Sequence, residues 1–383
     1  MLVLSIIVLL IWVYLLLLHA RFWQVHRFLL PTERPTEQRR VAVIIPARNE
    51  ADVVGRAIGS FVNQDFAALF VVDDNSTDGT ANAAMAAARM AGLSDKVTVI
   101  RGSQLPPGWT GKVWAMHQGW QLAKATDPDY ILLTDADIEH APNNLAHLIC
   151  QAERGSYDVV SVMVKLRCES LAEKFLIPAF VYFFFLLYPP GRVCDPSSRV
   201  AGAAGGCMLL RPNALERLGG FEAIRGEIID DCALSARVKS SGGRIWLGVT
   251  QKTRSVRGYR TITDIRQMIA RTAFNQLHHS LLLLIACVAG MLLTFAVPLA
   301  LVWSARRTTG WIAVAACILM FTSYVPVLKL YRVKTLSAVT LPFATLFYLY
   351  ATLCSAVNYW LGKGGGWKGR AQDPIWDKSQ TRR

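Results

Sequence analysis

The sequence is short of acidic residues and has no Cys-x-x-Cys pair, no internal repeat and no low-complexity block. Asp and Glu number 27 against 41 Lys and Arg, a formal net charge of +14. Such an excess calls for an acidic partner or an anionic surface. The eight cysteines, at 150, 168, 194, 207, 232, 287, 317 and 354, are scattered singly. None has a partner at zinc-ligand spacing, which excludes a zinc ribbon, and isolated thiols fit a reducing compartment better than a disulfide framework.

What is abundant is apolar sequence. Hydrophobic residues make up 53% of the chain, and the mean hydropathy is +0.31. They gather at the two ends. Residues 2–20, LVLSIIVLLIWVYLLLLHA, carry no charge and are long enough for a bilayer core of ~30 Å. No basic segment precedes this run, and Arg21, Trp23 and His26 follow it in place of a small-residue cleavage site, so residues 1–22 predict an anchor rather than a cleaved signal. Arg21, His26, Arg27, Arg34, Arg39 and Arg40 lie after the span, which puts the following domain in the cytoplasm.

Three more spans are predicted within residues 280–361, at about Leu281–Trp303, Trp311–Leu328 and Leu336–Trp360, ahead of a basic tail at 362–383. The expected location is therefore a membrane, multi-pass, with the central domain on the cytoplasmic side. A further run, Phe175–Tyr188 within residues 175–190, is too short to cross and predicts an interfacial or buried helix. A second basic run, Lys252, Arg254, Arg257, Arg260, Arg266 and Arg271, is opposed only by Asp264. Basic clusters beside apolar spans favour an anionic lipid surface over nucleic acid. Spans almost free of ionisable residues weigh against a transporter.

Residues 38–276 read as one α/β domain. Strands are predicted at Val41–Ile45, Leu69–Asp73, Val97–Ile100, Tyr130–Thr134 and Asp158–Val164, with helices at Glu50–Gln64, Thr80–Ala91 and Trp114–Ala125 between them. Near-continuous apolar strands alternating with helices imply a Rossmann-like, mostly parallel sheet covered on both faces. Ligands of such sheets bind beyond the carboxyl ends of the strands.

The chemistry-bearing residues fall at those ends. Pro46-Ala47-Arg48-Asn49-Glu50 follows the first strand; Pro46 predicts a sharp exit, and Asn49 a helix cap. The second strand ends in Asp73-Asp74, followed by Asn75-Ser76-Thr77-Asp78-Gly79, where Ser76 and Asp78 suit capping. Two adjacent acids there can accept hydrogen bonds from a base and a ribose. The fourth strand ends in Asp135-Ala136-Asp137. Alternate residues of an extended segment point the same way, so Asp135 and Asp137 share one face and repel unless a cation joins them, which makes a hard-oxygen site for Mg²⁺ or Mn²⁺.

Gly108-Trp109-Thr110-Gly111-Lys112 precedes a helix and offers backbone N–H groups and a lysine to phosphate. Val113 after the lysine excludes a P-loop ATPase. Gly202–Gly206 is a small-residue turn that lets a ligand approach the backbone. Asp230-Asp231 opens a helix; the dipole favours acids there, and one of the pair can serve as general base. Trp109, Trp114, Trp120 and Trp246 suit core packing first, and His278-His279 carries no role.

In this order the motifs resemble glycosyltransferase family 2, enzymes of the inverting GT-A fold, over about Val41–Thr272. The resemblance implies that Pro46, Arg48 and Glu50 line the nucleotide pocket and that Asp73 and Asp74 contact uridine. It implies that Asp135 and Asp137 hold metal and diphosphate, and that Asp231, paired with Asp230, is the base. The family's QxxRW element is reduced here to Met268-Ile269-Ala270-Arg271-Thr272. That departure weighs against processive polysaccharide synthesis and leaves Arg271 to meet the diphosphate with Lys112. Together with Trp367-Lys368-Gly369-Arg370, the arrangement is similar to ceramide-glucosyltransferase-like enzymes, and among them to hopanoid-biosynthesis-associated glycosyltransferases. The expectation is single-sugar transfer from a UDP-sugar to a membrane lipid acceptor. A non-catalytic membrane scaffold is the remaining alternative, and it would have lost acids that are all present here.

Overall fold

The structure, a computed structural model, describes residues 1–33, 35, 37–304, 306–363, 366–367 and 370–371. Arg34, Lys368, Gly369 and most of the expected basic tail at 362–383 lie outside the described residues. The described chain forms two compact units. One comprises Phe28–Arg167 and Arg192–Arg257. The other comprises Met1–Arg27, Cys168–Gly191 and Gly258–Gly364.

The first unit is α/β with a mostly parallel sheet, as the apolar strands predict. Its strands are β1 Val41–Ala47, β2 Ala68–Asp73, β3 Val97–Arg101, β4 Tyr130–Thr134, β5 Ile138–Glu139, β6 Val159–Lys165, β7 Cys207–Leu210 and β8 Ile245–Ser255. They lie in the order β3-β2-β1-β4-β7-β6-β8-β5. The pairs β1–β2, β2–β3, β1–β4 and β6–β8 are parallel. β7 runs antiparallel to both β4 and β6, and β5 antiparallel to β8. Every residue of β1 and β4 is buried, which is why both read as unbroken apolar runs. One face packs Val43, Ile45, Leu69, Val71, Leu132 and Leu209 into a single core. On the other face helix Gly111–Ala123 lies so close that a Cβ on Gly119 would meet Ile44 Cγ2 at 2.5 Å.

Three local expectations are corrected. Pro46 does not end β1. It stays in the strand opposite Val72, and it is tolerated because pairing with β4 has already stopped at Ile44, so no partner is denied an N–H. The helix expected over Glu50–Gln64 is only Val54–Gly59, with a 3₁₀ turn at Ser60–Asn63. Asn49 does not cap it. Asn49 adopts a left-handed conformation and accepts a hydrogen bond from Thr77 N–H at 2.9 Å instead.

The second unit is helical and apolar. Leu171–Val193, Leu281–Val302, Arg307–Leu330 and Thr335–Trp360 are each long and apolar enough to cross a membrane. Leu171–Val193 is longer than the stretch read from the sequence, because the helix Leu171–Leu187 starts at a Ser170–Glu173 capping box. Leu2–Leu17 is shorter, 16 residues or about 24 Å at the usual helical rise. Polar side chains join the helices: Tyr182 Oη to Ser323 Oγ at 2.7 Å, Tyr348 Oη to Leu176 O at 3.0 Å, and Trp12 Nε1 to Thr294 O at 3.0 Å. The Thr294 carbonyl lies in a five-residue π-helical stretch, Leu292–Ala296, where the regular ladder is interrupted.

Candidate functional site

The register of the parallel strands brings the site together. Ala47 lies opposite Asp73, and Asp73 opposite Arg101, so the loops after β1, β2 and β3 leave one sheet edge. The first two interlock. Asn49 N–H donates to Ser76 Oγ at 2.9 Å, Glu50 N–H to Thr80 Oγ1 at 2.8 Å, and Ala51 N–H to Asp78 Oδ2 at 3.0 Å. Asp78 also accepts from Thr80 N–H at the start of the next helix, but the N-cap of that helix is Gly79 with no side-chain cap bond, so neither Ser76 nor Asp78 caps it as expected. Arg48 donates to the Asp74 carbonyl and lies 3.5 Å from its carboxylate, which is buried. Asp73 Oδ1 accepts from Ser76 N–H at 3.0 Å.

At the centre is Lys112. Its Nζ lies 3.0 Å from Asp135 Oδ1 and 3.3 Å from Asp230 Oδ2. Lys112 sits in the first turn of helix Gly111–Ala123, and the N-cap residue of that helix is bound to the segment before Asp230: Thr110 N–H donates to Arg225 O at 2.7 Å and Thr110 Oγ1 to Glu227 O at 3.3 Å. Burial opposes the charge of Lys112. Asp135, Asp230 and Asp231 outweigh it and hold the ammonium above the ordinary lysine range. The lysine thus bridges the acid after β4 to the acidic pair that opens helix Asp230–Ser240.

Among the described residues, no cation is in contact with Asp231. Its Oδ2 accepts Gly205 N–H at 2.7 Å, and its Oδ1 accepts Cys232 N–H at 2.7 Å. Burial first, then the adjacent Asp230 charge, push the carboxyl up to about 6 against the pull of Lys112 and the two N–H bonds. A Cβ on Gly205 would lie 3.0 Å from Asp231 Oδ2. The small-residue turn expected to admit a ligand therefore admits the Asp231 carboxylate.

Asp135 and Asp137 do not share one face through an extended segment. Residues 136–137 form a turn, so the two side chains find different partners. Asp137 Oδ2 accepts from Ser255 Oγ at 2.8 Å and Arg257 Nε at 3.0 Å. Arg257 Nη2 also reaches both oxygens of Glu50, at 2.5 and 2.7 Å. Two members of the second basic run find acids in this domain: Arg257 pairs inside the site and Arg254 pairs with Glu139 at 2.8 Å. Among the described residues Asp135 Oδ2 and Asp137 Oδ1 accept no hydrogen bond, and no cluster of three or more His, Cys, Asp or Glu ligands occurs. Carboxylate oxygens are the hard donors that Mg²⁺ or Mn²⁺ takes, with phosphate and water supplying its other ligands.

Beneath this turn lies a buried network that sequence reasoning did not find. Asn144 Nδ2 donates to His140 Nδ1 at 3.1 Å, which leaves the proton on Nε2 to donate to Thr134 Oγ1 at 3.0 Å. Thr134 Oγ1 in turn donates to Gly206 O at 2.8 Å, and Thr253 Oγ1 donates to Asn144 Oδ1 at 2.8 Å. Burial pushes His140 down to about 3, so it is neutral. The network ties the ends of β4 and β8 to the start of β7. Arg271 is exposed, at the end of helix Ile262–Ala270, and belongs to the other unit. Trp120 and Trp246 are buried in the core as packing predicts. Trp109 and Trp114 are half-buried and surround the His117 ring.

Residues 42–219 match the family model for Glycosyl transferase family 2. The chain carries a glycosyltransferase domain. The match takes in Pro46, Arg48, Glu50, Asp73, Asp74, Lys112, Asp135, Asp137 and Gly205, and it ends before Asp230 and Asp231. Similar solved structures include glucosyl-3-phosphoglycerate synthase from Mycobacterium tuberculosis in complex with Mn²⁺, uridine-diphosphate and phosphoglyceric acid. It is 19% identical over 65% of this chain and 86% of that one, with a TM-score of 0.39. The same synthase with phosphoglyceric acid is 21% identical over 62% and 84%, with a TM-score of 0.37.

Proposed function

We propose that this glycosyltransferase moves a single sugar from a UDP-sugar, with inversion at C1, to a hydroxyl of a membrane lipid. The observation that carries the reading is Lys112 bridging Asp135 to the Asp230–Asp231 pair. In the proposed step the acceptor oxygen attacks C1 while Asp231 takes its proton. The C1–oxygen bond to the diphosphate breaks, and UDP leaves with the electron pair. Asp231 is held by two backbone N–H bonds and has its pKa raised towards neutrality, which suits a general base. Lys112 stabilises charge on the departing diphosphate. Asp135 and Asp137 would hold a Mg²⁺ or Mn²⁺ ion, which supplies further charge compensation at the same oxygens. Arg48, Glu50, Asp73 and Asp74 are assigned to the nucleotide on the strength of the motif resemblance.

The lipid acceptor rests on the apolar unit and on the sequence resemblance, which favours a hopanoid. We place the enzyme in a bacterial inner membrane with the glycosyltransferase domain on the cytoplasmic side, where basic residues follow Leu2–Leu17. Arg271 is retained as a helper at the diphosphate on the same resemblance.

The test is transfer from labelled UDP-sugars to extracted membrane lipid by purified protein in detergent, with Mg²⁺ or Mn²⁺ and an Asp231→Asn control. Label in one discrete lipid band, absent from the control, is the expected outcome. Label in a polymer overturns single transfer, and no consumption of any UDP-sugar overturns the donor.

A further inference from the structure

We propose that Arg257 sets the metal affinity of the site, so that a divalent cation binds firmly only together with the nucleotide diphosphate. The inference rests on the metal reading above. Asp137 is deeply placed, with a side chain only 11% exposed, and its Oδ2 is filled by Arg257 Nε and Ser255 Oγ. Asp135 spends Oδ1 on Lys112. Each acid therefore keeps one oxygen for a metal while its other oxygen holds a protein cation. A metal entering alone gains two carboxylate oxygens and meets two positive charges that it does not displace.

Glu50 makes this arrangement durable. It binds the far side of the Arg257 guanidinium through both oxygens, and its own side chain is 11% exposed. The planar fork thus spans two carboxylates 87 positions apart in the chain, between the loop after β1 and the turn after β4 (Glu50 and Asp137). Rotating Arg257 away from Asp137 would break the Nε bond while Glu50 still holds the other end of the guanidinium. A nucleoside diphosphate changes the balance, because its oxygens ligate the metal and their negative charge offsets Lys112 and Arg257. Metal and nucleotide then favour each other's binding, as reciprocal coupling requires.

The experiment measures Mn²⁺ binding to the full-length protein in detergent by the paramagnetic resonance signal of free Mn²⁺, with and without UDP. The wild type is expected to bind Mn²⁺ weakly alone and roughly tenfold or more tighter with UDP, within the usual span of coupling between sites. Arg257→Gln is expected to tighten Mn²⁺ binding without UDP and to shrink the UDP effect. Glu50→Gln removes a negative charge from the far side of Arg257 and is expected to weaken Mn²⁺ binding. The opposite signs separate the proposal from simple damage to the fold, and Glu50→Gln serves if Arg257→Gln does not fold. Equal or weaker Mn²⁺ binding by folded Arg257→Gln, or no weakening in Glu50→Gln, overturns it. A wild type that takes up no Mn²⁺ with or without UDP overturns the metal reading itself.

Discussion

Gly205 gives its backbone N–H to Asp231 at 2.7 Å, and a Cβ at Gly205 would crowd the same carboxylate oxygen at 3.0 Å. One residue thus both orients the proposed base and leaves room for it. Gly205→Ala is expected to push Asp231 aside by a few tenths of an ångström or break the N–H bond. We expect kcat to fall about tenfold or more, since general bases act at hydrogen-bond reach, while the melting temperature changes little. Asp231→Asn removes the base and is expected to cost roughly 10²–10⁴ in kcat. Steady-state transfer assays on both variants, with thermal melts, check the ordering. A Gly205→Ala enzyme with unchanged kcat would remove the positioning role.

The pH profile follows from the two charges flanking that base. Asp231 must be ionised to accept a proton, and its carboxyl is pushed up to about 6, so the acid limb of kcat/KM is expected near pH 6. Asp230 raises that value and Lys112 lowers it. Asp230→Asn should therefore move the limb to lower pH and Lys112→Met to higher pH, whatever either change does to the maximum rate. Profiles from pH 4.5 to 8.5 decide it on the order of half a pH unit or better. Shifts of the same sign in both variants would show that Asp231 does not control the limb.

His140 makes a separate prediction about stability. Its folded-state value lies far below the ordinary 6.5, near 3, because burial excludes the charged form. Between those values the unfolded chain binds a proton that the folded chain does not, so stability falls as pH drops from about 6.5 towards 3. The slope from this group is roughly 1.4 kcal/mol per pH unit at most. Melting temperatures across pH 4–7 should fall less steeply in His140→Gln than in the wild type, although the variant starts lower because Thr134 or Asn144 loses a partner. Parallel slopes would mean that His140 is not the titrating group.

The difference between what was and was not legible in the sequence has a physical cause. β1, β2 and β4 are buried on both faces and read as apolar runs, so the acids at their ends stood out as site residues. β8 did not stand out. Its first six residues are buried, but Gln251, Lys252 and Arg254 then face solvent, and the strand dissolves into what looks like a basic loop. Arg257 was lost with it. Its partner Glu50 is 207 positions away, a distance at which no local pattern links two residues. The His140 network failed for the same reason, since Asn144 and Thr253 meet only after β8 is in place. The turn at 136–137 was invisible because spacing alone does not distinguish a turn from an extended pair.

The last prediction concerns helix Leu171–Leu187, the main part of the segment Leu171–Val193 that by length and composition suffices to cross a membrane. β6 precedes it, β7 follows it, and the two strands pair directly, Val160 opposite Leu209. The chain must therefore leave and return on one side of the bilayer. A return crossing would have to use residues 188–206, which include Arg192, Asp195 and Arg199 and are mostly non-helical. Unpaired backbone of that kind is not tolerated in the hydrocarbon core. The helix is thus expected to lie in the interface or dip into one leaflet, in keeping with the sequence reading of residues 175–190. Single cysteines at the exposed positions Arg167→Cys and Ser197→Cys, with Cys168→Ser and Cys194→Ser as background, should react with an impermeant thiol reagent from the same face of sealed vesicles. Labelling from opposite faces would require the pairing of β6 with β7 to be wrong, and with it the sheet order on which the whole site is built.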